Sequence, residues 1–275
     1  MDNYAVVGNP IEHSLSPRIH GLFAQQTGET FRYERRLAPL DGFVESVELF
    51  AAGGARGFNV TVPFKTQAHD WVDELDDEAR AAGAVNTVVL ENGKSLGCNT
   101  DGIGLVRDLL HNQGLQIQGK QVLLLGAGGA VLGVIRRLLA ENPARLVIAN
   151  RTVSKALTLA VRLAEEYAEV GCEITGVGLG EVAGFYDLVI NGTSAGLQGT
   201  GDLIDASVVR QAVCYDMVYG SSTPFTRWAA QAGAVRTLDG LGMLVEQAAA
   251  AFYLWRGVHP ETDQVLTELM RERAR

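Results

Sequence analysis

The chain has 275 residues, with 23 lysines and arginines against 32 aspartates and glutamates, a formal net charge of −9. That balance excludes a general nucleic-acid or membrane-surface role, which needs a basic footprint. Hydrophobic residues at 47% and charged residues at 20% describe a soluble globular protein whose length fits two domains.

Residues 4–7 read as a short apolar strand, ended by Gly8-Asn9-Pro10. Ser16-Pro17 reads as an N-cap with proline at the first helical position, opening a helix to residue 27. A second helix is predicted over 41–52, closed by Gly53-Gly54. Next comes Asn59-Val-Thr-Val-Pro-Phe-Lys65. Val60, Thr61 and Val62 form a β-branched run and predict a strand. Pro63 stops the strand and suits the start of a helix, so Lys65 falls at a strand-to-helix junction. An acidic, alanine-rich helix is predicted over 73–82. Residues 85–90 and 95–100 read as strands joined through Asn92-Gly93, a hairpin signal. The alternation of strands and helices predicts a mostly parallel α/β sheet.

Asp101 starts a helix that runs to about residue 112. A second α/β series follows, with strands predicted over 121–125, 145–149, 187–191, 213–217 and 234–237. Helices are predicted over about 130–141 and 153–167. Two helical stretches, about 243–255 and 262–273, finish the chain with no strand between them.

The cysteines, Cys98, Cys172 and Cys214, are sparse and unpaired by spacing, as in a reducing compartment. The five histidines show no metal-ligand spacing. Met1-Asp2-Asn3-Tyr4 lacks the basic stretch of a signal peptide, and no apolar run approaches the length of a membrane span. The expectation is a cytoplasmic protein without bound metal that binds neither nucleic acid nor membranes.

Gly126-Ala-Gly128-Gly129-Ala130 follows an apolar strand and opens a helix, the setting in which backbone N–H groups meet a pyrophosphate. Position 131, where a third glycine belongs in the dinucleotide pattern, holds Val131. The next strand ends in Asn150-Arg151-Thr152, with Lys155 one turn on. NAD-preferring folds place a carboxylate here; a cation suits a 2′-phosphate, so NADP is favoured over NAD. Lys65 and Asp101, each at a helix start, can form an acid/base pair for moving a hydroxyl proton during hydride transfer. A helix-starting aspartate is more often an N-cap.

These motifs together resemble the shikimate dehydrogenase family over nearly the whole chain. They are Gly8-Asn-Pro10 with Ser14-Leu-Ser-Pro17, Asn59–Lys65, Gly83-Ala-Val-Asn-Thr87, Asn99-Thr-Asp-Gly102 and Gly126–Ala130. Asn150-Arg-Thr152, Asn191-Gly-Thr-Ser194, Tyr215-Asp-Met217 and Asp239-Gly-Leu-Gly-Met243 through Gln247 complete the set. The resemblance implies NADPH-dependent reduction of 3-dehydroshikimate to shikimate, on the route to chorismate and the aromatic amino acids.

By that resemblance Lys65 and Asp101 are the catalytic pair. Ser14, Ser16 and Tyr219 bind the substrate carboxylate, and Thr61, Asn86 and Gln247 the ring hydroxyls. Gly126, Gly128, Gly129, Ala130, Asn150, Arg151, Thr152 and Lys155 bind NADP(H), with Met217 and Gly240 near the nicotinamide. A two-domain α/β fold is implied. Residues 1–101 and 241–275 form a substrate-binding domain, 102–240 a Rossmann domain, and the site lies in the cleft between them with hinge closure. Cys98, so near Asp101, raises the expectation of sensitivity to alkylation. The assembly stays open between monomer and homodimer. Other readings are a quinate or aminoshikimate paralogue, a non-catalytic NADP sensor and, from the glycine loop alone, a methyltransferase.

Overall fold

Residues 1–193, 203–220 and 222–274 are described in the computed structural model of the chain. Ser194, the end of the Asn191-Gly-Thr-Ser motif, lies outside them. The first elements are β1 (Asp2–Gly8), α1 (Ser16–Thr27), β2 (Phe31–Leu37), α2 (Phe43–Ala52), β3 (Ala55–Val60) and α3 (Lys65–Trp71). They continue with β4 (Glu74–Leu75), α4 (Asp77–Ala82), β5 (Thr87–Glu91), β6 (Lys94–Cys98) and α5 (Asp101–Arg107). Then follow β7 (Gln121–Leu125), α6 (Gly129–Ala140), β8 (Arg145–Asn150), α7 (Val153–Glu166), β9 (Glu173–Gly178) and β10 (Leu188–Asn191). The chain closes with β11 (Val213–Asp216), α8 (Pro224–Gln231), β12 (Arg236–Leu238), α9 (Leu241–Arg256) and α10 (Thr262–Arg273). Two units separate by their internal contacts, Met1–Gly104 with Val245–Arg275, and Leu105–Leu244.

The first unit is built on a six-stranded sheet in the order β2-β1-β3-β5-β6-β4. Strands β1, β2 and β3 are parallel, but β5 runs antiparallel to both β3 and β6. The sheet is therefore mixed, because Asn92 and Gly93 close a tight hairpin with φ of 52° and 76°. One face buries Ala5, Val7, Phe58 and Val60 against Phe43, Phe50 and Phe64. On the other face Tyr4 packs against Phe31 and Trp255, and Trp255 comes from the far end of the chain in α9. Trp255 Nε1 donates to the Val88 carbonyl at 2.9 Å. The indole occupies space that a side chain at Gly57 would need, since a Cβ there would sit 2.4 Å from Nε1. Arg256 beside it ties α9 to Asp2 and Glu29.

Several sequence expectations shift here. The strand in Asn59–Lys65 ends at Val60, and Pro63 lies in the turn ahead of α3, not in the helix. Helix α4 covers only Asp77–Ala82, because the Asp76 side chain caps it through Ala79 N–H at 2.6 Å. Asp73, expected to open that helix, instead accepts from Ser95 N and Oγ, both at 2.8 Å. Strand β2 was not predicted. Its sequence Phe-Arg-Tyr-Glu-Arg-Arg-Leu looks too polar, but it is an edge strand, where charges are common.

The second unit carries a six-stranded parallel sheet in the order β12-β11-β10-β7-β8-β9. Its central strands are continuous apolar runs because both faces are covered. Leu105, Val134, Leu138 and Leu159 pack on one face, and Tyr186, Val208, Phe225 and Ala229 on the other. The strand order reverses between β7 and β10, the position where doubly wound sheets open a crevice for a ligand.

The helix expected to run unbroken to residue 112 changes pitch, with α5 passing into a π-helical turn at Asp108–Asn112. The fully buried Asp108 carboxylate accepts from Tyr215 Oη at 2.6 Å and from Asn112 and Gln113 at 3.1 Å. Burial, reinforced by this carboxylate, holds the Tyr215 phenol well above its usual pKa.

Candidate active site

Lys65 is the first residue of α3, and its Nζ donates to Asp101 Oδ2 at 2.6 Å. Their side chains are 26% and 8% exposed, so the pair is partly withdrawn from water. The other carboxylate oxygen, Oδ1, accepts from Asn86 Nδ2 at 2.8 Å. Asn86 is itself fixed, because its Oδ1 accepts from Thr100 N at 2.9 Å and from Thr87 Oγ1 at 3.0 Å. A backbone N–H donates only, so that contact settles which amide atom is oxygen. Asp101 is the first residue of α5 and not its N-cap; its N–H donates to Asn99 Oδ1 at 3.1 Å. Its side chain is thus left to Lys65 and Asn86.

Sequence reasoning missed Asn59 as an organiser. Its Oδ1 accepts from Tyr33 Oη at 2.7 Å and its Nδ2 donates to Thr87 Oγ1 at 3.0 Å. A hydrogen-bonded line, buried from Asn59 onward, therefore runs from Tyr33 through Asn59, Thr87 and Asn86 to Asp101. Its signal in the sequence is a polar residue at each strand end where an apolar one would fill the core.

The loop leaving β1 carries Ser14 and Ser16. Gly8 passes Thr61 so closely that a Cβ would lie 2.4 Å from its methyl group. Asn9 N donates to the Val62 carbonyl at 3.1 Å, which docks the loop on the Asn59–Lys65 motif. Ser16 is not the N-cap; Leu15 is, and Ser16 is the first helical residue. Its N–H donates to Ser14 Oγ at 3.3 Å, and the two hydroxyls are 3.2 Å apart. On α9, Gln247 Oε1 lies 3.4 Å from Asn86 Nδ2 and accepts from Thr100 Oγ1 at 3.4 Å. The first unit thus gathers Thr61, Lys65, Asn86, Asp101 and Gln247 with the serine loop. Tyr219 belongs to the second unit.

In the second unit Gly126 has φ +110°, a conformation that favours glycine, and its N–H donates to the Ala149 carbonyl at 2.7 Å. Gly128 is the N-cap of α6 and offers no side chain to the first amides. A Cβ at Gly128 or Gly129 would meet nothing within 4 Å. The exposed turn through Ala130 is therefore an open cradle of N–H groups, which fits a pyrophosphate. Val131 is buried where the pattern has glycine. Gly192 makes room for it from the β10 side, since a Cβ there would sit 2.6 Å from the valine methyl.

At the end of β8, Asn150 Nδ2 donates to the Thr152 carbonyl at 3.0 Å, and Arg151, Thr152 and Lys155 are exposed. Lys155 joins Ala127, Leu132, Ser154, Thr158 and Arg162 around a groove of about 320 Å³. Thr158 and Arg162 were not predicted, although they recur one and two turns beyond Lys155 on the same helix face. At β11, Met217 N donates to the Asn191 carbonyl at 2.9 Å. A Cβ at Gly240 would be 2.3 Å from the Met217 carbonyl, so the two residues touch and only glycine fits. Asp216 fixes the turn by accepting from Thr223 Oγ1 at 2.6 Å and Asn191 Nδ2 at 3.1 Å. Its burial pushes the carboxyl above its ordinary pKa.

Cys98 corrects an expectation. It is 2% exposed, and burial, with Asp76 nearby, pushes its thiol to about 12. Cys214 is fully buried and also pushed to about 12. Alkylation needs an accessible thiolate. Under native conditions near neutral pH, Ellman's reagent should therefore titrate Cys172 and leave Cys98 and Cys214 until denaturant is added. Rapid loss of Cys98 in peptide mapping of the native protein would refute this. Among the described residues no cluster of His, Cys, Asp and Glu is arranged to hold a metal ion, and no helix is long and apolar enough to cross a membrane.

Comparison with known proteins points the same way. Residues 6–88 match the shikimate dehydrogenase substrate binding domain, and residues 108–201 match shikimate / quinate 5-dehydrogenase. Residues 240–274 match the shikimate 5′-dehydrogenase C-terminal domain. A shikimate dehydrogenase (NADP(+)) of Alkalilimnicola ehrlichii is 53% identical over 273 residues, 98% of this chain and 99% of that one. A shikimate dehydrogenase crystallised in complex with NADP+ superposes with a TM-score of 0.87 at 33% identity, covering 99% of this chain and 96% of that chain. Shikimate 5-dehydrogenase from Thermus thermophilus, in complex with NADP(H) and shikimate, has a TM-score of 0.79 at 30% identity over 98% and 99% of the two chains.

Proposed function

Because the chain belongs to the shikimate dehydrogenase family, we propose that it interconverts 3-dehydroshikimate and shikimate by reversible hydride transfer with NADP(H). It acts in the cytoplasm, as a monomer or homodimer, on the route to chorismate. The observation that carries the reading is the Lys65–Asp101 pair, held by Asn86 at the start of two helices.

Residues 1–101 and 241–275 hold the substrate, with its carboxylate on Ser14, Ser16 and Tyr219. Thr61, Asn86 and Gln247 serve the ring hydroxyls. Both amide hydrogens of Asn86 already point at Asp101 and Thr100, so its part runs through the Asp101 carboxylate. Lys65 gives its proton to the carbonyl oxygen as the ketone is reduced and takes it back in reverse. Asp101 keeps the ammonium oriented and accepts from a neighbouring hydroxyl. Residues 102–240 hold the cofactor, which supplies the hydride when bound. The amides of Gly126, Gly128, Gly129 and Ala130 take the pyrophosphate. Asn150, Arg151, Thr152 and Lys155 take the 2′-phosphate end, and Met217 and Gly240 flank the nicotinamide.

The test is an absorbance assay at the NADPH band with shikimate or quinate against NADP or NAD. NADPH formation from shikimate is expected, and none with any pair would refute the reading. Arg151→Ala should raise KM for NADP roughly tenfold to a hundredfold, the effect of losing a charge-assisted phosphate contact, with little change for NAD. Equal losses for both cofactors would remove Arg151 from the 2′-phosphate.

A further inference from the structure

We propose that Arg35 is a specificity-determining residue, the cation that draws the substrate carboxylate to Ser14 and Ser16; this rests on the reading of those serines given above. The need for such a group is electrostatic. The chain carries a formal charge of −9, and two serine hydroxyls are neutral donors. A carboxylate leaving water for them is poorly compensated unless positive charge is close.

The three arginines of β2 divide by face. Arg32 and Arg36 point with Glu34 to one side, and both pair with its carboxylate at 3.1 and 3.0 Å. Arg35 points to the opposite side, with Tyr33. Its Nε and Nη2 both donate to the Ser14 carbonyl, at 2.9 and 2.7 Å. Among the described residues no carboxylate lies within ion-pair distance of it. A guanidinium fork that suits a carboxylate is thus spent on one backbone oxygen, with its charge left uncompensated beside the serine loop. Both bonds reach the residue that also carries the Ser14 hydroxyl, so the cation stands within about 6–8 Å of that hydroxyl. At an exposed site, a charge at this range changes affinity roughly threefold to tenfold.

The experiment compares shikimate with its neutral carboxamide in the wild type, Arg35→Gln and Arg35→Lys at low ionic strength. Arg35→Gln should raise KM for shikimate roughly threefold to tenfold, leave KM for the carboxamide and for NADP in place, and hardly change kcat. Arg35→Lys should recover most of the loss. Added salt should raise the wild-type KM for shikimate and not for the carboxamide. The proposal is overturned if Arg35→Gln leaves KM for shikimate unchanged, or raises KM equally for both compounds, as a mere support for the loop would. It is also overturned if lysine does no better than glutamine. Should neither variant fold, an equal response of the two compounds to salt in the wild type overturns it. A wild type that makes no NADPH from shikimate would instead refute the proposed function.

Discussion

Replacing Lys65 by alanine is expected to lower kcat by about two to four orders of magnitude, the range for loss of a positioned proton donor. The variant removes the ammonium that donates to Asp101 Oδ2 and leaves Oδ1 with Asn86. Asp101 then keeps its place but has no ammonium to orient. The glycine cradle is built from second-unit backbone and does not include Lys65, so the dissociation constant for NADP, read by fluorescence titration, should stay within about twofold of the wild type. Lys65→Met, which keeps the length of the side chain without its charge, should match alanine. Near-normal turnover in either variant would remove Lys65 from the chemistry. Weakened NADP binding alongside lost turnover would point to misfolding instead.

Replacing Gly57 by alanine should destabilise the first unit by about 2–4 kcal/mol, the sum of a forced overpacking and a lost buried hydrogen bond. The added methyl would lie 2.4 Å from Trp255 Nε1 and 2.5 Å from the Val88 carbonyl. Neither can yield cheaply. Val88 belongs to the ladder that pairs β5 with β3. The indole is held at 4.7 Å from the Tyr4 ring and 5.4 Å from the His20 ring. Denaturation followed by tryptophan fluorescence would show the midpoint fall, and an unchanged midpoint would mean that the sheet moves aside at no cost. The same substitution at Gly54, where a Cβ meets nothing, separates steric clash from backbone strain, since its φ is +83°.

Much of this architecture was legible in the sequence where local chemistry and tertiary context agree. Helix α10 has the bounds read for it, and the turn chemistry of Asn92-Gly93 does close a hairpin, with its strands at Thr87–Glu91 and Lys94–Cys98 instead of 85–90 and 95–100. The glycine turn after β7 likewise combined an apolar strand with residues suited to the backbone it needs. Strand β2 was illegible because its stabilisation lies in pairing with β1 and in long-range contacts of Tyr33 and Arg35, none of which leaves a periodic trace. The widened π-helical turn carries Asp108, whose partner Tyr215 lies 107 residues away and leaves no local trace. Lys65 and Asp101 could be singled out by position alone, but not Asn59, whose partners are brought to it by different strands. Val131 looked like a defect in a motif; Gly192, far along the chain, explains it.

Trp255 and Arg256 complete the first unit from a helix that leaves the ribosome only after the whole of Leu105–Leu244. The second unit has all six of its strands in one uninterrupted stretch and can form its core as soon as that stretch emerges. The opening hundred residues can complete only the side of their sheet packed on Phe43, Phe50 and Phe64, because Tyr4, His20 and Phe31 wait for the aromatic side chains of α9. Gln247, which joins Asn86 and Thr100, arrives on the same helix. The unit begun earlier is therefore finished later, and no nascent chain short of α9 can carry the assembled set of Lys65, Asn86, Asp101 and Gln247.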